Sequence, residues 1–393
     1  MYFSGFFVVF SWSITTILCD TIPDYVYYCT GNCNKPVTTQ THPGLILMGG
    51  GTDVDAAFIQ QIEWSGCGDF LVLRSDNDDK YDRYVYNLDC ANSAATIWVR
   101  NRDGANNPNV TDYINGAEAI FFAGSNNLKK FTKKKKKRPA AVKRGVPIGG
   151  TSAGCDIQSY FIYSATNGSV NSPEALADPY NKLMTFAGYF LIQGDDNILN
   201  NTIIDTHFVT RDRFGRLITF VARIRTDAGG RKLLKTSGTY QLCAYMYQLD
   251  LGKGLPIKGI GINEQTAFAI DLETGLAQVL GPVDTSEAYL LMPSHDPEVC
   301  EPLTPLTYKN VNVQKVKPGY VQRVACSYVC IRICFFFINR YSSLQLIYKL
   351  TLLSLPLFCN SDVFNFRTWT GGESSRNYDV SYINGVPQED PYN

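Results

Sequence analysis

Ser152 carries the clearest chemical signature in this chain. It lies in Gly150-Thr151-Ser152-Ala153-Gly154, after the apolar run Gly145-Val146-Pro147-Ile148 and before an amphipathic segment with Ile157, Tyr160 and Phe161. Gly-x-Ser-x-Gly between a strand and a helix is a nucleophile elbow, a cramped turn whose small neighbours relieve the crowding around the serine. The first N–H groups of the following helix then face the atom that serine attacks, which suits a developing oxyanion. A Gly/Ser turn without a catalytic role has the same letters, so a partner base decides the matter.

A serine hydroxyl is a poor nucleophile at neutral pH and needs an adjacent base, most often histidine. The chain has three histidines. His42 lies in a Thr/Pro-rich lead-in, and His295 lies in Met292-Pro293-Ser294-His295-Asp296-Pro297, whose prolines read as a loop. His207 ends the apolar run Ile203-Ile204-Asp205-Thr206-His207-Phe208, which reads as a strand delivering its last residues to a site. His207 is therefore the expected base.

A carboxylate should orient the imidazole and offset its charge. Gly259-Ile260-Gly261-Ile262-Asn263-Glu264 offers Glu264 at the end of a short apolar strand. The order Ser152, His207, Glu264 is nucleophile, base, acid. An α/β-hydrolase places the acid before the histidine, so a lipase or esterase of that fold is disfavoured.

Gly149-Gly150-Thr151-Ser152-Ala153-Gly154, Asp205-Thr206-His207-Phe208 with Arg211, Arg213 and Arg216, and Gly259-Ile260-Gly261-Ile262-Asn263-Glu264 together resemble cyanophycinase, of the dipeptidase E-like serine peptidases. The resemblance runs from about Gly44 to Ala269. It implies an α/β fold related to the glutamine amidotransferases, a mostly parallel sheet flanked by helices, with the elbow after a central strand. It further implies Ser152 as nucleophile, His207 as base, Glu264 as orienting acid, and Gly124 and Ala153 as oxyanion-hole donors. The implied substrate is a poly-aspartate backbone bearing arginines, cut to β-aspartyl-arginine dipeptides. Arg211, Arg213 and Arg216 would grip carboxylates through their planar forks. They equally fit a basic turn or ion pairs with Asp205 and Asp212.

The chain departs from the family after Ala119-Ile120-Phe121-Phe122-Ala123-Gly124. The family continues into Gly-Gly-Asp/Asn-Gln, whereas this chain reads Ala123-Gly124-Ser125-Asn126-Asn127. Thr206 and Asn263 also stand where the family often has glutamine and aspartate. Two alternatives follow: a dipeptidase E-like exopeptidase for Asp-bearing dipeptides, or an inactive homologue that binds acidic peptides. A phosphate-loop reading of Gly49-Gly50-Gly51-Thr52-Asp53 matches neither G-x-G-x-x-G nor a Walker lysine pattern. The stretch reads better as a tight turn at the rim of the same site.

The elements that must position these residues occupy a chain of 393 residues with 45% hydrophobic and 13% aromatic content, enough for a sizeable core. The formal net charge of zero gives no global attraction to nucleic acid, and none is expected as a partner. No metal or organic cofactor is called for by a Ser-His-Glu triad. Self-association as a homodimer is left open.

Residues 1–19 are apolar, with no charge before Asp20, and read as a secretory signal lacking a basic n-region. Sequons at Asn109, Asn167 and Asn200, with 12 cysteines, suit a secreted glycoprotein. Cys29, Cys33, Cys67, Cys90, Cys243 and Cys300 are candidates for pairing, and Cys155 reads as a buried free thiol. The mature chain is expected to have no membrane span.

The expected organisation is a lead-in at 20–43, a catalytic domain at 44–310, and a C-terminal β-hairpin and tail at 311–319 and 362–393. Lys133 to Arg138 is an unbroken basic run that reads as a solvated loop. Tyr320 to Ser361, rich in Cys, Phe and Leu, is interrupted by Arg332, Arg340 and Lys349, so no stretch reaches membrane-helix length. Removing it would join Lys315-Val316-Lys317-Pro318-Gly319 to Asp362-Val363-Phe364-Asn365-Phe366 through a Pro-Gly-Asp turn. Residues 320–361 are therefore read as a gene-model insertion.

Overall fold

A computed structural model describes residues 23–76, 81–124, 144–188, 198–228, 256–318, 363–372 and 376–392. The signal segment 1–19, the Ser125-Asn126-Asn127 turn, the run Lys133–Arg138, Cys243 and residues 320–361 lie outside the described residues.

The chain first builds β1 (Tyr25–Gly31), β2 (Gly44–Met48), β3 (Asp69–Arg74), β4 (Ser93–Val99), β5 (Ala119–Phe122) and β6 (Ile148–Thr151). Helices α1 (Asp55–Trp64), α2 (Tyr81–Tyr86), α3 (Arg102–Asn106) and α4 (Pro108–Gly116) lie between them. These crossovers make parallel pairs β4–β3–β5–β6–β2. After α5 (Ala153–Asp156) the chain starts a second sheet with β7 (Phe161–Tyr163), α6 (Ser172–Ala177), β8 (Phe186–Gly188), β9 (Thr202–Thr206), α7 (Phe214–Ala228) and β10 (Lys258–Ile262). It then crosses back with β11 (Ala267–Asp271) and β12 (Leu276–Leu280), and returns with β13 (Ala288–Met292) and β14 (Tyr308–Val316). The chain ends with β15 (Val363–Asn365) and β16 (Thr370–Gly371) on the first sheet, and β17 (Arg376–Ile383) and β18 (Val386–Pro387) on the second.

The fold is thus α/β, as expected, but its sheets are mixed rather than mostly parallel. From β11 onward every described strand pairing is antiparallel, and the four-residue link from β11 to β12 is too short for a crossover helix, so the chain can only turn back on itself there. Asp271 illustrates this: its Oδ1 accepts the N–H groups of Glu273 and Thr274, and Gly275 completes the turn with φ +80°. The hairpin expected between 315–319 and 362–366 does not form. β14 pairs with β13 and β17, while β15 pairs with β12 in the other sheet.

Alternation along the strands sorts the core into layers. Ile46 and Met48 face α1 with Phe58, Ile62 and Phe121, whereas Leu45 and Leu47 face inward. The inner layer joins these leucines to Ile204, Ile260, Ile262 and Leu290 of the second sheet. Ile203, Tyr289 and Leu291 point the other way, against Phe214, Leu217 and Val221 of α7. Helices, sheet, sheet and helices are stacked in that order.

Candidate active site

Ser152, His207 and Glu264 converge where the carboxyl ends of strands from both sheets meet. Ser152 follows β6 of the first sheet. His207 follows β9 of the second, and Glu264 sits in the crossing from β10 to β11. Ser152 Oγ lies 2.8 Å from His207 Nε2, and His207 Nδ1 lies 2.5 Å from Glu264 Oε1. With the glutamate as acceptor, Nδ1 carries the imidazole proton and Nε2 is left to accept from the serine hydroxyl.

The elbow is tight. Ser152 has φ +53° and ψ −127°, outside the regions that L residues favour, and its N–H donates to Met48 O at 3.1 Å. Gly154 passes so close to β5 that a Cβ there would fall 2.0 Å from Phe122 O. Helix α5 is shorter than the sequence pattern implies. It ends at Asp156, and Phe161, read as part of its amphipathic continuation, enters β7 instead. Gly124 packs against the nucleophile, since a Cβ built on it would lie 3.0 Å from Ser152 Cβ. Ala153 opens α5 immediately after the serine.

The Gly49-Gly50-Gly51 turn after β2 lines the base and its acid. His207 N donates to Gly49 O at 2.8 Å, and Gln265 N to Gly50 O at 3.0 Å. Gly50, with φ +96°, faces the imidazole of His207, and Gly51, with φ +73°, faces Glu264. The turn expected at the rim of the site thus runs from the buried Gly50, against the histidine, to the exposed Gly51, against its acid.

Burial lowers the pKa of His207; the Glu264 hydrogen bond opposes this, and Arg211 and Arg213 reinforce it. The imidazole is buried and is held in the neutral form that a base requires.

The three arginines part company. Arg211 is exposed, with Nε 4.0 Å from Glu264 Oε1. Arg213 is half-buried and donates to Thr206 O at 2.7 Å, with Asp205 Oδ1 at 3.4 Å. Arg216 is buried and grips both oxygens of Asp205, through Nε at 2.7 Å and Nη2 at 2.5 Å. Its remaining nitrogen reaches Ser169 Oγ and Val170 O. Burial works against the Arg216 charge, but Asp205 outweighs it and leaves the pKa raised. Of the two readings open for Arg216, the ion pair with Asp205 is the one the structure shows, and the expectation that it binds substrate is corrected, because the side chain is buried with four of its five N–H donors committed to Asp205, Ser169 and Val170. Arg213 faces the same carboxylate and Thr206, which leaves Arg211 as the open arginine of the three.

Asp156 drew no attention in the sequence. It lies one turn past Ser152, close to Thr206 Oγ1 at 3.4 Å, and its Oδ1 is shielded from solvent without a hydrogen-bond partner. Burial, then the neighbouring Asp205, push its carboxyl up to about 7, with Arg213 and Arg216 opposing. A lone acid in an apolar run carries no pattern that would have revealed this. Of the other histidines, His42 lies 3.3 Å from Asp271 and His295 packs on Tyr308, so the base assignment rests on His207.

Cys29–Cys33 and Cys67–Cys90 form disulfides, while Cys155 and Cys300 are buried free thiols. Asn109, Asn167 and Asn200 are all exposed. Among the described residues no helix is long and apolar enough to cross a membrane, and no cluster of His, Cys, Asp and Glu could hold a metal ion.

No protein-family model matches the chain, and no curated protein matches it. Among solved structures, it is similar to the crystal structure of a peptidase from an acI-B1 Actinobacterium, at 17% identity and a TM-score of 0.39. That likeness covers 64% of this chain and 91% of the other.

Proposed function

We propose that this chain is a secreted serine-type peptidase, resembling cyanophycinase, that cuts peptides bearing aspartate. The observation that carries this reading is the unbroken relay from Ser152 Oγ through His207 to Glu264, at 2.8 Å and 2.5 Å. His207 Nε2 takes the serine proton as Oγ bonds to the substrate carbonyl carbon, and the carbonyl oxygen becomes an oxyanion. Backbone N–H groups of Gly124 and Ala153 are the donors proposed for that oxyanion. The protonated imidazole then gives its proton to the leaving amine as the C–N bond breaks, leaving an acyl-serine. Water, deprotonated by His207, releases the acid and restores the serine.

Arg211 is the residue proposed to hold a substrate carboxylate. One open arginine, rather than three, favours a second reading, a dipeptidase that recognises a single acidic group. Secretion and glycosylation at Asn109, Asn167 and Asn200 are further parts of the proposal, supported by the two disulfides and the exposure of the three asparagines.

The test is turnover by purified protein on cyanophycin, β-Asp-Arg peptides and Asp-initiated dipeptides, with a fluorophosphonate probe to label the nucleophile. Release of β-Asp-Arg supports the cyanophycinase-like reading, and cleavage of short Asp peptides alone supports the dipeptidase. Binding without turnover or labelling would mark an inactive homologue and end the enzyme proposal.

A further inference from the structure

His207 stands at the head of a short loop bounded by two residues with positive φ, His207 itself at +49° and Asp212 at +47°. Such a loop does not hold its shape from backbone preference alone. Beside the backbone bonds from Arg211 N to His207 O and from Asp212 N to Val209 O, the N–H groups of Val209 and Thr210 converge on one side-chain oxygen. Asn263 Oδ1 accepts from Val209 N at 3.2 Å, from Thr210 N at 3.2 Å and from Thr210 Oγ1 at 3.1 Å. The partners fix the amide orientation, because a flipped amide would turn its own NH2 donors onto two backbone N–H groups. Asn263 is anchored in turn by its N–H to Glu287 O at 3.1 Å, and it directly precedes Glu264. One residue thus joins the strand end that carries the acid to the loop that carries the base.

A carboxylate could accept the same three bonds, and aspartate often stands here in the family the chain resembles, so what asparagine changes is the charge. The charged groups around the loop are Glu264 on the turn after β10, Arg211 and Asp212 on the loop, Arg213 at its foot, and Asp205 and Asp156 beneath it; Asp212 Oδ1 accepts from Tyr392 OH at 3.0 Å. The side chain of Glu287, on the neighbouring strand, is paired with Lys315 at 2.9 Å. A second anion beside Glu264 would favour the charged imidazole and compete for Arg211.

We propose that Asn263 is a positioning residue that seats the His207 loop through a neutral acceptor, keeping the base unprotonated and Arg211 open. This inference rests on the nucleophile reading above. Its readout is the rate of Ser152 labelling by a fluorophosphonate as a function of pH, which needs no knowledge of the natural substrate.

Asn263→Asp keeps the three acceptor bonds and adds a charge, so the acid limb of the labelling profile should move up by about one pH unit with little change in the plateau. Asn263→Ala removes the acceptor, so labelling should slow about tenfold or more on the plateau, where base ionisation no longer limits. Thr210→Val, at an exposed position, deletes one of the three bonds and should slow labelling less than Asn263→Ala does. Thermal unfolding of each variant separates a misplaced base from a failed fold, and Thr210→Val carries the test should Asn263→Ala not fold. A labelled parent with an unmoved limb in Asn263→Asp, or parent-like rates in Asn263→Ala and Thr210→Val, would overturn the proposal. An unlabelled parent would instead remove the nucleophile reading, and this inference with it.

Discussion

Gly50 lies against the face of His207 so closely that a Cβ on it would fall 2.5 Å from Cε1 and 2.6 Å from Nε2. No side chain can occupy that space without moving the base or the turn. Gly50→Ala should therefore cost about a hundredfold in kcat, since a displacement of about 1 Å is enough for such a loss. Comparison of single-turnover rates in the two proteins checks this, and an active alanine variant would show that the imidazole is placed by other contacts.

Ser152 holds a backbone conformation that glycine adopts more readily. Ser152→Gly should abolish probe labelling and turnover while leaving the melting temperature at or above that of the parent. Calorimetry on the pair would reveal the strain, and a lower melting temperature would argue that the elbow stores none.

The pH dependence follows from the burial of His207. Catalysis needs the neutral imidazole, and burial depresses its pKa below the ordinary histidine value of about 6.5. Activity should be present above that range and fall only as pH drops through the lowered pKa. Arg211→Gln removes one of the cations that push the value down, so its acid limb should lie higher than the parent's. A pH-rate profile on both proteins reads the sign directly.

The arginines separate binding from stability. Arg211→Lys keeps the charge but loses the fork, and KM for an acidic peptide should rise about tenfold, in line with roughly 1.5–3 kcal/mol for a charge-assisted bond. Arg216→Ala leaves the buried Asp205 with only Arg213, 3.4 Å away, as a charged partner and should destabilise the fold by about 3 kcal/mol. Kinetics at fixed moderate salt, alongside denaturant midpoints, would distinguish them. Equal effects on KM from both would restore Arg216 to the substrate pocket.

The strands on either side of 320–361 share one scaffold: β14 pairs with β17, and Gln314 Nε2 donates to Gly371 O at 2.6 Å. The transcript is expected to lack the codons for 320–361, and a protein without them is expected to label at Ser152. An mRNA that retains the segment would sink that reading.

Which residues would lie together was more legible in the sequence than the architecture around them. Ser152, His207 and Glu264 each end or follow an apolar run, so local pattern alone brings them to strand ends. Their meeting point depends on which strands pair, and pairing is non-local. The antiparallel half of each sheet was missed because the resemblance implied a mostly parallel sheet, although the lack of a helical period between β11 and β13 already pointed to strands that turn back. For Arg216 the sequence left a substrate grip and an ion pair with Asp205 equally open, and only the turn from β9 into α7, which brings Asp205 beside it, decides for the ion pair. Asn263 stood out only as a departure from the family's usual aspartate and Tyr392 gave no signal, since their roles come from hydrogen bonds to a loop that no propensity describes. Tyr392 OH accepts from Phe214 N and donates to Asp212 Oδ1, both at 3.0 Å, which fastens the far end of the His207 loop.

That last contact bears on the order in which the protein comes alive. The strand beneath the elbow, β2, pairs with β11 more than two hundred positions later, and the latch on the base loop comes from Tyr392. Contacts of such separation form late, because distant parts of the chain must first be brought together. A growing chain that has reached only Ser152 and His207 holds its nucleophile and base without the means to aim them. In refolding, Ser152 reactivity should trail the recovery of β-sheet signal. Ser152 and His207 would then stay unaligned through much of synthesis and be aimed at each other only once the segment around Tyr392 has settled.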